Sequence, residues 1–262
     1  MTDAGRCARD DDGAGSGHKS LSGLGQMRPQ SPTSTRVAFA PVTARSLPMH
    51  ILIIGASRGI GLGLVQEFAK RGWTVTGTVR REQDGAAVTA AGGTPTLLDM
   101  TDRAAVARLQ EATGPLDILL VNAGVSQPAQ PDDATLGRFF DTNAVAPVEL
   151  ATQFLRHIVD GGTVAFMSSR IGSVALNMSG NLPLYRASKA ALNSLTRSMV
   201  AGLDRPLTVL TLHPGWVQTD MGGAGADLDV ATSARGMAGA ILARHGQPGS
   251  FFVDESGAEL AW

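Results

Sequence analysis

The chain has 262 residues, of which 43% are hydrophobic and 17% charged, and its net charge is -1. That length buries an ample core in one or two domains, and a near-neutral balance without a Lys/Arg cluster excludes nucleic acid and anionic membranes as main partners. A single cysteine, Cys7, excludes an intrachain disulfide and a cysteine-built metal site, which suits a reducing cytoplasm, and no apolar run reaches the roughly 18 residues that span a bilayer.

Residues 1–48 are rich in Gly, Ser, Arg and Pro, carry the acidic run Asp10-Asp11-Asp12 and show no apolar period, so they are expected to form a disordered tail. They have no apolar core of a secretory signal, and the early acids disfavour a transit peptide. Met49 opens directly into the first strand and is a second candidate for the initiator. From there, strands are expected near 50–54, 73–79, 94–98, 116–121, 162–168, 207–212 and 250–253. Helices are expected near 60–71, 101–112, 133–157, 184–203 and 229–244. This alternation predicts an α/β fold: one domain over 49–262, a Rossmann-type doubly wound parallel sheet of about seven strands with helices on both faces. The run Leu116-Asp117-Ile118-Leu119-Leu120-Val121 suits a strand buried on both sides.

The first strand, His50 to Ile54, runs into Gly55-Ala56-Ser57-Arg58-Gly59-Ile60-Gly61 and then a helix. Glycines there permit a tight turn and close backbone approach to a pyrophosphate, which the following helix N-terminus favours, so dinucleotide binding is expected here. Further on, the only tyrosine, Tyr185, precedes Lys189 by one helical turn. Both side chains then share a face, where an ammonium could stabilise a phenolate whose free pKa is roughly 10. That pair is a candidate proton donor for hydride chemistry. The histidines His18, His50, His157, His213 and His245 match no metal-ligand spacing, and no metal is expected.

The glycine spacing, with Asp99 after the third strand, Asn122-Ala123-Gly124 after the fourth, Asn143 in the next helix, Ser169 after the fifth, Tyr185-Arg186-Ala187-Ser188-Lys189, and His213-Pro214-Gly215 after the sixth, resembles the short-chain dehydrogenase/reductase family over nearly all of 49–262. One departure is Ile54, where many members have threonine, at the expected loss of a polar contact. The resemblance implies that Tyr185 is the general acid or base, that Lys189 holds the nicotinamide ribose and lowers the tyrosine pKa, that Ser169 hydrogen-bonds the carbonyl, and that Asn143 anchors a water leading from Lys189. Ser169 is preferred to Ser168 because Gly172 follows it by the family's interval. The stretch from Ser169 to Tyr185 is longer than is common in the family. With His213 to Met221 and the ending Phe251-Phe252-Val253-Asp254 and Trp262, it resembles the carbonyl-reductase-like branch that contains the sniffer and C-factor proteins.

For the cofactor, the resemblance implies binding by Gly55, Ser57, Arg58, Gly59, Ile60 and Gly61, by Asn122, Ala123 and Gly124 at the adenosine ribose, and by Pro214, Gly215, Val217 and Thr219 around the nicotinamide. Asp99 would take the adenine amino group through its carboxylate and Met100 through its backbone. The second strand ends in Thr78-Val79-Arg80-Arg81, with no carboxylate to repel a 2′-phosphate, and Arg80 and Arg58 would attract one, so NADP(H) is expected. Residues 221–226 read as mobile and too short to form a lid, which suggests an open pocket. Met178, Leu182 and Trp216 are candidate apolar substrate walls. The expected activity is NADPH-dependent reduction of a ketone or aldehyde in the cytoplasm by a homodimer or homotetramer built on the 133–157 and 184–203 helices. Two alternatives are an NADP(H)-binding sensor without turnover and a sugar-nucleotide epimerase. The latter usually has a differently spaced glycine turn and a longer substrate region.

Overall fold

The computed structural model describes residues 48–128 and 131–262. Cys7, His18 and, except for Pro48, the expected tail therefore lie outside the described residues.

Seven strands form one parallel sheet in the order 3-2-1-4-5-6-7: β1 (His50–Ile54), β2 (Thr74–Val79), β3 (Thr94–Leu97), β4 (Leu116–Val121), β5 (Ile158–Met167), β6 (Thr208–His213) and β7 (Gly249–Asp254). The helices are α1 (Gly59–Lys70), α2 (Gly85–Ala90), α3 (Arg103–Ala112), α4 (Asp133–Phe140), α5 (Ala146–Phe154), α6 (Pro183–Ala201) and α7 (Val230–Arg244). Alternate side chains of each strand point to opposite faces and feed two cores. Ile51, Ile53, Ile118, Leu120, Leu210 and Leu212 pack with Leu64 and Phe68 of α1 and Met237 and Ile241 of α7. Leu52, Ile54, Leu119, Val121, Val164 and Phe166 pack with Val106 of α3, Leu150 and Phe154 of α5 and Leu192 of α6. Each such side chain, fully buried, contributes roughly 1.5–3 kcal/mol, which offsets the entropy of ordering the chain. All six residues of β4 are buried.

Three elements depart from the sequence expectation. α2 has six residues, too few to show a helical period. β5 begins at Ile158 because it passes a register shift opposite Leu116 and Ile118, with Gly161 at φ 73° absorbing the irregularity. The single helix expected over 133–157 is interrupted by a π-turn, Asp141–Val145, between α4 and α5. Pro147 has no N–H to give the carbonyl of Asn143 four residues earlier, so the α-helical ladder cannot run through this point.

The chain order reverses between β1 and β4, so the connections after these strands leave on opposite faces and open a crevice at the carboxyl ends of the sheet. The glycine turn, Asp99, Asn122 to Gly124, Asn143, Ser169, the pair Tyr185 and Lys189, and Pro214 with Gly215 all lie on connections that leave that edge.

Candidate active site

The crevice is a cleft of about 760 Å³. On its β1 side, Gly55 leaves the strand at φ 87°, and a Cβ there would sit 2.7 Å from Ala123 Cβ. A Cβ on Gly61 would sit 2.1 Å from the Gly55 carbonyl oxygen and 2.6 Å from Asn122 Nδ2. Asn122 Nδ2 donates to that same carbonyl at 2.7 Å, so the turns after β1 and β4 are locked together with glycine as their only fit. The first turn of α1 carries no acidic side chain and Arg58 provides no side-chain cap, which leaves a helix N-terminus suited to an anion. Beside Ile54, a hydroxyl from β2 reaches this turn: the Gly55 N–H donates to Thr78 Oγ1 at 2.9 Å.

At the ends of β2 and β3, Arg80 and Asp99 line the cleft. Arg81 turns away and forks onto Asp84, with Nε and Nη2 both 3.0 Å from its carboxylate oxygens. Asp99 Oδ1 accepts from the Thr101 N–H at 2.9 Å and from Thr101 Oγ1 at 2.8 Å. Burial alone would raise its carboxyl pKa, but these bonds and the Arg80 charge outweigh burial and hold it below the usual range. The cap of α3 is Asp102, which accepts from Ala104 and Ala105 N–H at 3.0 Å, so Asp99 is not needed for that purpose.

On the opposite wall, α6 presents Tyr185 and Lys189 on one face, with the Lys189 ammonium 5.7 Å from the Tyr185 ring centroid. Lys189 is 3% exposed and its Nζ donates to the Met167 carbonyl, at the end of β5, at 2.9 Å. Burial pushes the lysine down to about 8 and the tyrosine up to about 12. The expected lowering of the tyrosine is therefore reversed, because desolvation of a phenolate outweighs an ammonium already engaged by a carbonyl. The phenol stays protonated across the neutral range.

Asn143 is fully buried in the π-turn. Its Oδ1 accepts from the Val125 N–H at 2.8 Å, and its Nδ2 donates to the Val125 carbonyl at 2.9 Å and to Ser188 Oγ at 3.2 Å. Both N–H groups are used, so what remains for a water is acceptor capacity on Oδ1. That atom and Lys189 Nζ flank Gly124, 3.2 and 3.6 Å from where a Cβ would stand.

Ser168 and Ser169 face apart. Ser168 Oγ is buried and donates to Asn193 Oδ1 of α6 at 2.6 Å. Ser169 is half-buried, and its Oγ accepts only a long 3.4 Å bond from the Ile171 N–H. The Ser168 hydroxyl is thus committed to the interior, and Ser169 keeps the hydroxyl that a ligand can use.

Of the residues singled out in the sequence, Gly55, Ser57, Arg58, Gly59, Ile60, Arg80, Asp99, Met100, Asn122, Ala123, Gly124, Tyr185, Lys189, Pro214 and Thr219 line the cleft directly. Gly61, Asn143, Ser169, Gly215 and Val217 do not line it, whereas Ser168, whose hydroxyl is engaged by Asn193, does. Met178, Leu182 and Trp216 are exposed, at 92%, 48% and 53%, and none lines the cleft. The stretch expected to be mobile is held at its start: Gly222 N–H donates to Thr219 Oγ1 at 3.1 Å, and Trp216 Nε1 donates to the Gly222 carbonyl at 2.9 Å.

Sequence reasoning missed Gln127. Its Oε1 accepts from the Leu184 and Tyr185 N–H groups at 3.1 and 3.2 Å, capping α6 from 57 and 58 residues away. It also missed Thr78 and Asp220 on the cleft wall. No local pattern marks any of the three. Among the described residues, no group of three His, Cys, Asp or Glu side chains could hold a metal ion.

Known proteins share this fold and much of this sequence. The family model for short chain dehydrogenases matches residues 49–227. C-signal from Myxococcus xanthus is 43% identical over 159 residues, covering 57% of this chain and 95% of that protein. A carbonyl reductase from Pseudomonas aeruginosa PAO1, solved in complex with NADP, superposes with a TM-score of 0.76 at 40% identity, covering 82% of this chain and all of that one. The carbonyl reductase Sniffer of D. melanogaster superposes with a TM-score of 0.71 at 30% identity, over 82% of this chain and 100% of that chain.

Proposed function

Since this chain belongs to the short-chain dehydrogenase/reductase family, we propose that it is an NADP(H)-dependent carbonyl reductase whose catalytic unit spans residues 49–262. The donor set suits the coenzyme: a glycine turn at a helix N-terminus free of acids, Arg58 and Arg80 on the cleft wall, and no carboxylate at the end of β2. Gly55, Ser57, Gly59 and Ile60 would hold the pyrophosphate, with Gly61 packing the turn beneath them. Asp99 and Met100 would take the adenine, Asn122 to Gly124 the ribose beside it, and Pro214, Gly215, Val217 and Thr219 the nicotinamide end. When bound, NADPH supplies a hydride to the carbonyl carbon.

The chain's own residues supply the proton. Tyr185, protonated because burial holds its pKa near 12, donates to the carbonyl oxygen as negative charge develops there. Ser169 donates a hydrogen bond to the same oxygen. Lys189, charged below about pH 8, stabilises the phenolate left behind, and a water on Asn143 Oδ1 lets the proton be replaced. The observation that carries this reading is the buried Lys189 ammonium under the Tyr185 ring. A charge held at such desolvation cost is hard to explain as packing.

The test is NADPH oxidation against a broad panel of ketones and aldehydes, with NADH and Tyr185→Phe in parallel. The expected result is turnover with NADPH that falls by about 100- to 10,000-fold in the variant while NADPH binding persists. Full turnover in Tyr185→Phe sinks the mechanism. A second reading, an NADP(H)-binding sensor, is favoured by the likeness to C-signal, and tight NADPH binding without turnover on any carbonyl would select it. A cytoplasmic homodimer or homotetramer through α5 and α6 is proposed as well, supported by the exposed Val145 and Leu195 beside and on those helices. No described helix is long and apolar enough to cross a membrane.

A further inference from the structure

Arg58 on the glycine turn donates through Nη1 to Asp220 Oδ2, on the connection after β6, 162 residues away. Both side chains are exposed, at 72% and 74%, and both line the coenzyme cleft together with Arg80. The turn that carries Asp220 is preformed. The Gly223 N–H donates to the Thr219 carbonyl at 2.8 Å, and the Gln218 N–H donates to the Leu228 carbonyl at 2.8 Å. It also touches the glycine turn directly: a Cβ on Gly59 would stand 3.4 Å from Thr219 Cγ2. Asp220 is therefore held out toward the arginine that, on the reading above, receives a 2′-phosphate.

We propose that Asp220 sets the coenzyme preference by competing with the 2′-phosphate for Arg58. The inference rests on the NADP(H) reading. A 2′-phosphorylated dinucleotide must displace the carboxylate to engage Arg58, and it also meets the repulsion of that carboxylate nearby. A dinucleotide with a free 2′-hydroxyl makes no such demand and leaves the ion pair in place. Asp220 thus lowers affinity for NADPH selectively and keeps bound NADP(H) exchangeable. Because the pair is exposed, the effect is modest, about two- to fivefold in dissociation constant.

The experiment is calorimetric titration of the full chain with NADPH, NADH and adenosine 2′,5′-bisphosphate, in wild type, Asp220→Asn, Arg58→Ala and the double variant, with thermal melts as a folding control. The expected result is that Asp220→Asn tightens NADPH and the bisphosphate about two- to fivefold, leaves NADH within about 1.5-fold, and has no effect once Arg58 is alanine. An unchanged or weakened NADPH affinity, an equal gain for NADH, or a gain that survives in the Arg58→Ala background would overturn it. A wild type that binds NADPH no tighter than NADH would instead bring down the coenzyme reading, and this inference with it.

Discussion

Replacing Lys189 by methionine should stabilise the protein while disabling it. The ordinary lysine value is 10.5 and burial lowers it to about 8, so at neutral pH the folded state holds a charge it disfavours. At about 1.36 kcal/mol per pH unit this amounts to about 3 kcal/mol. Loss of the bond from Nζ to the Met167 carbonyl returns about 1 kcal/mol, and methionine fills nearly the same volume, so the net gain is about 2 kcal/mol at pH 7. The sign of the pH dependence follows from the depressed value. Between about 8 and 10.5 the unfolded chain binds more protons than the folded one, so wild-type stability rises with pH there. By about pH 9.5 the wild type recovers about 2 kcal/mol and the advantage of the variant disappears. Urea denaturation of both proteins at the two pH values measures this directly. A variant less stable than wild type at pH 7, or a gain independent of pH, would refute the assignment of Lys189 as a buried charge.

The same titration should appear in catalysis. With carbonyl saturating, kcat/KM for NADPH reports the free enzyme and should fall about tenfold from about pH 7 to about pH 9 as Lys189 loses its proton, with Tyr185 still protonated; a flat profile would remove the lysine from the mechanism. Gly61→Ala places a methyl carbon 2.1 Å from the Gly55 carbonyl oxygen and against Asn122. It should cost about 1–3 kcal/mol of stability and abolish measurable NADPH binding in calorimetry, whereas binding at wild-type strength would show that the two turns are not locked as described.

The order of elements, the parallel sheet and the identity of the cleft's main residues were legible because each is encoded locally. Strand runs alternate with helical periods, glycines mark a turn between β1 and α1, and Tyr185 and Lys189 lie one helical turn apart. Pro147 was equally visible but was read within a helix, although a proline there removes the N–H due to Asn143 and makes the π-turn that holds Asn143 in place. Other features depend on what packs against a residue rather than on its neighbours in sequence. Arg80 faces the cleft while Arg81 serves Asp84, and Ser168 points to Asn193 while Ser169 stays available.

Read alone, the amino-acid order determined the fold class, the glycine turn after β1 and the one-turn spacing of Tyr185 and Lys189, since each rests on residues within a few positions of one another. Only the tertiary structure decided that burial raises Tyr185 and lowers Lys189, that Gln127 caps α6, that Thr78 accepts from the Gly55 N–H, and that Asp220 reaches Arg58. Desolvation and contacts between segments 23 to 162 residues apart exist only after the chain has folded, and no local pattern carries them.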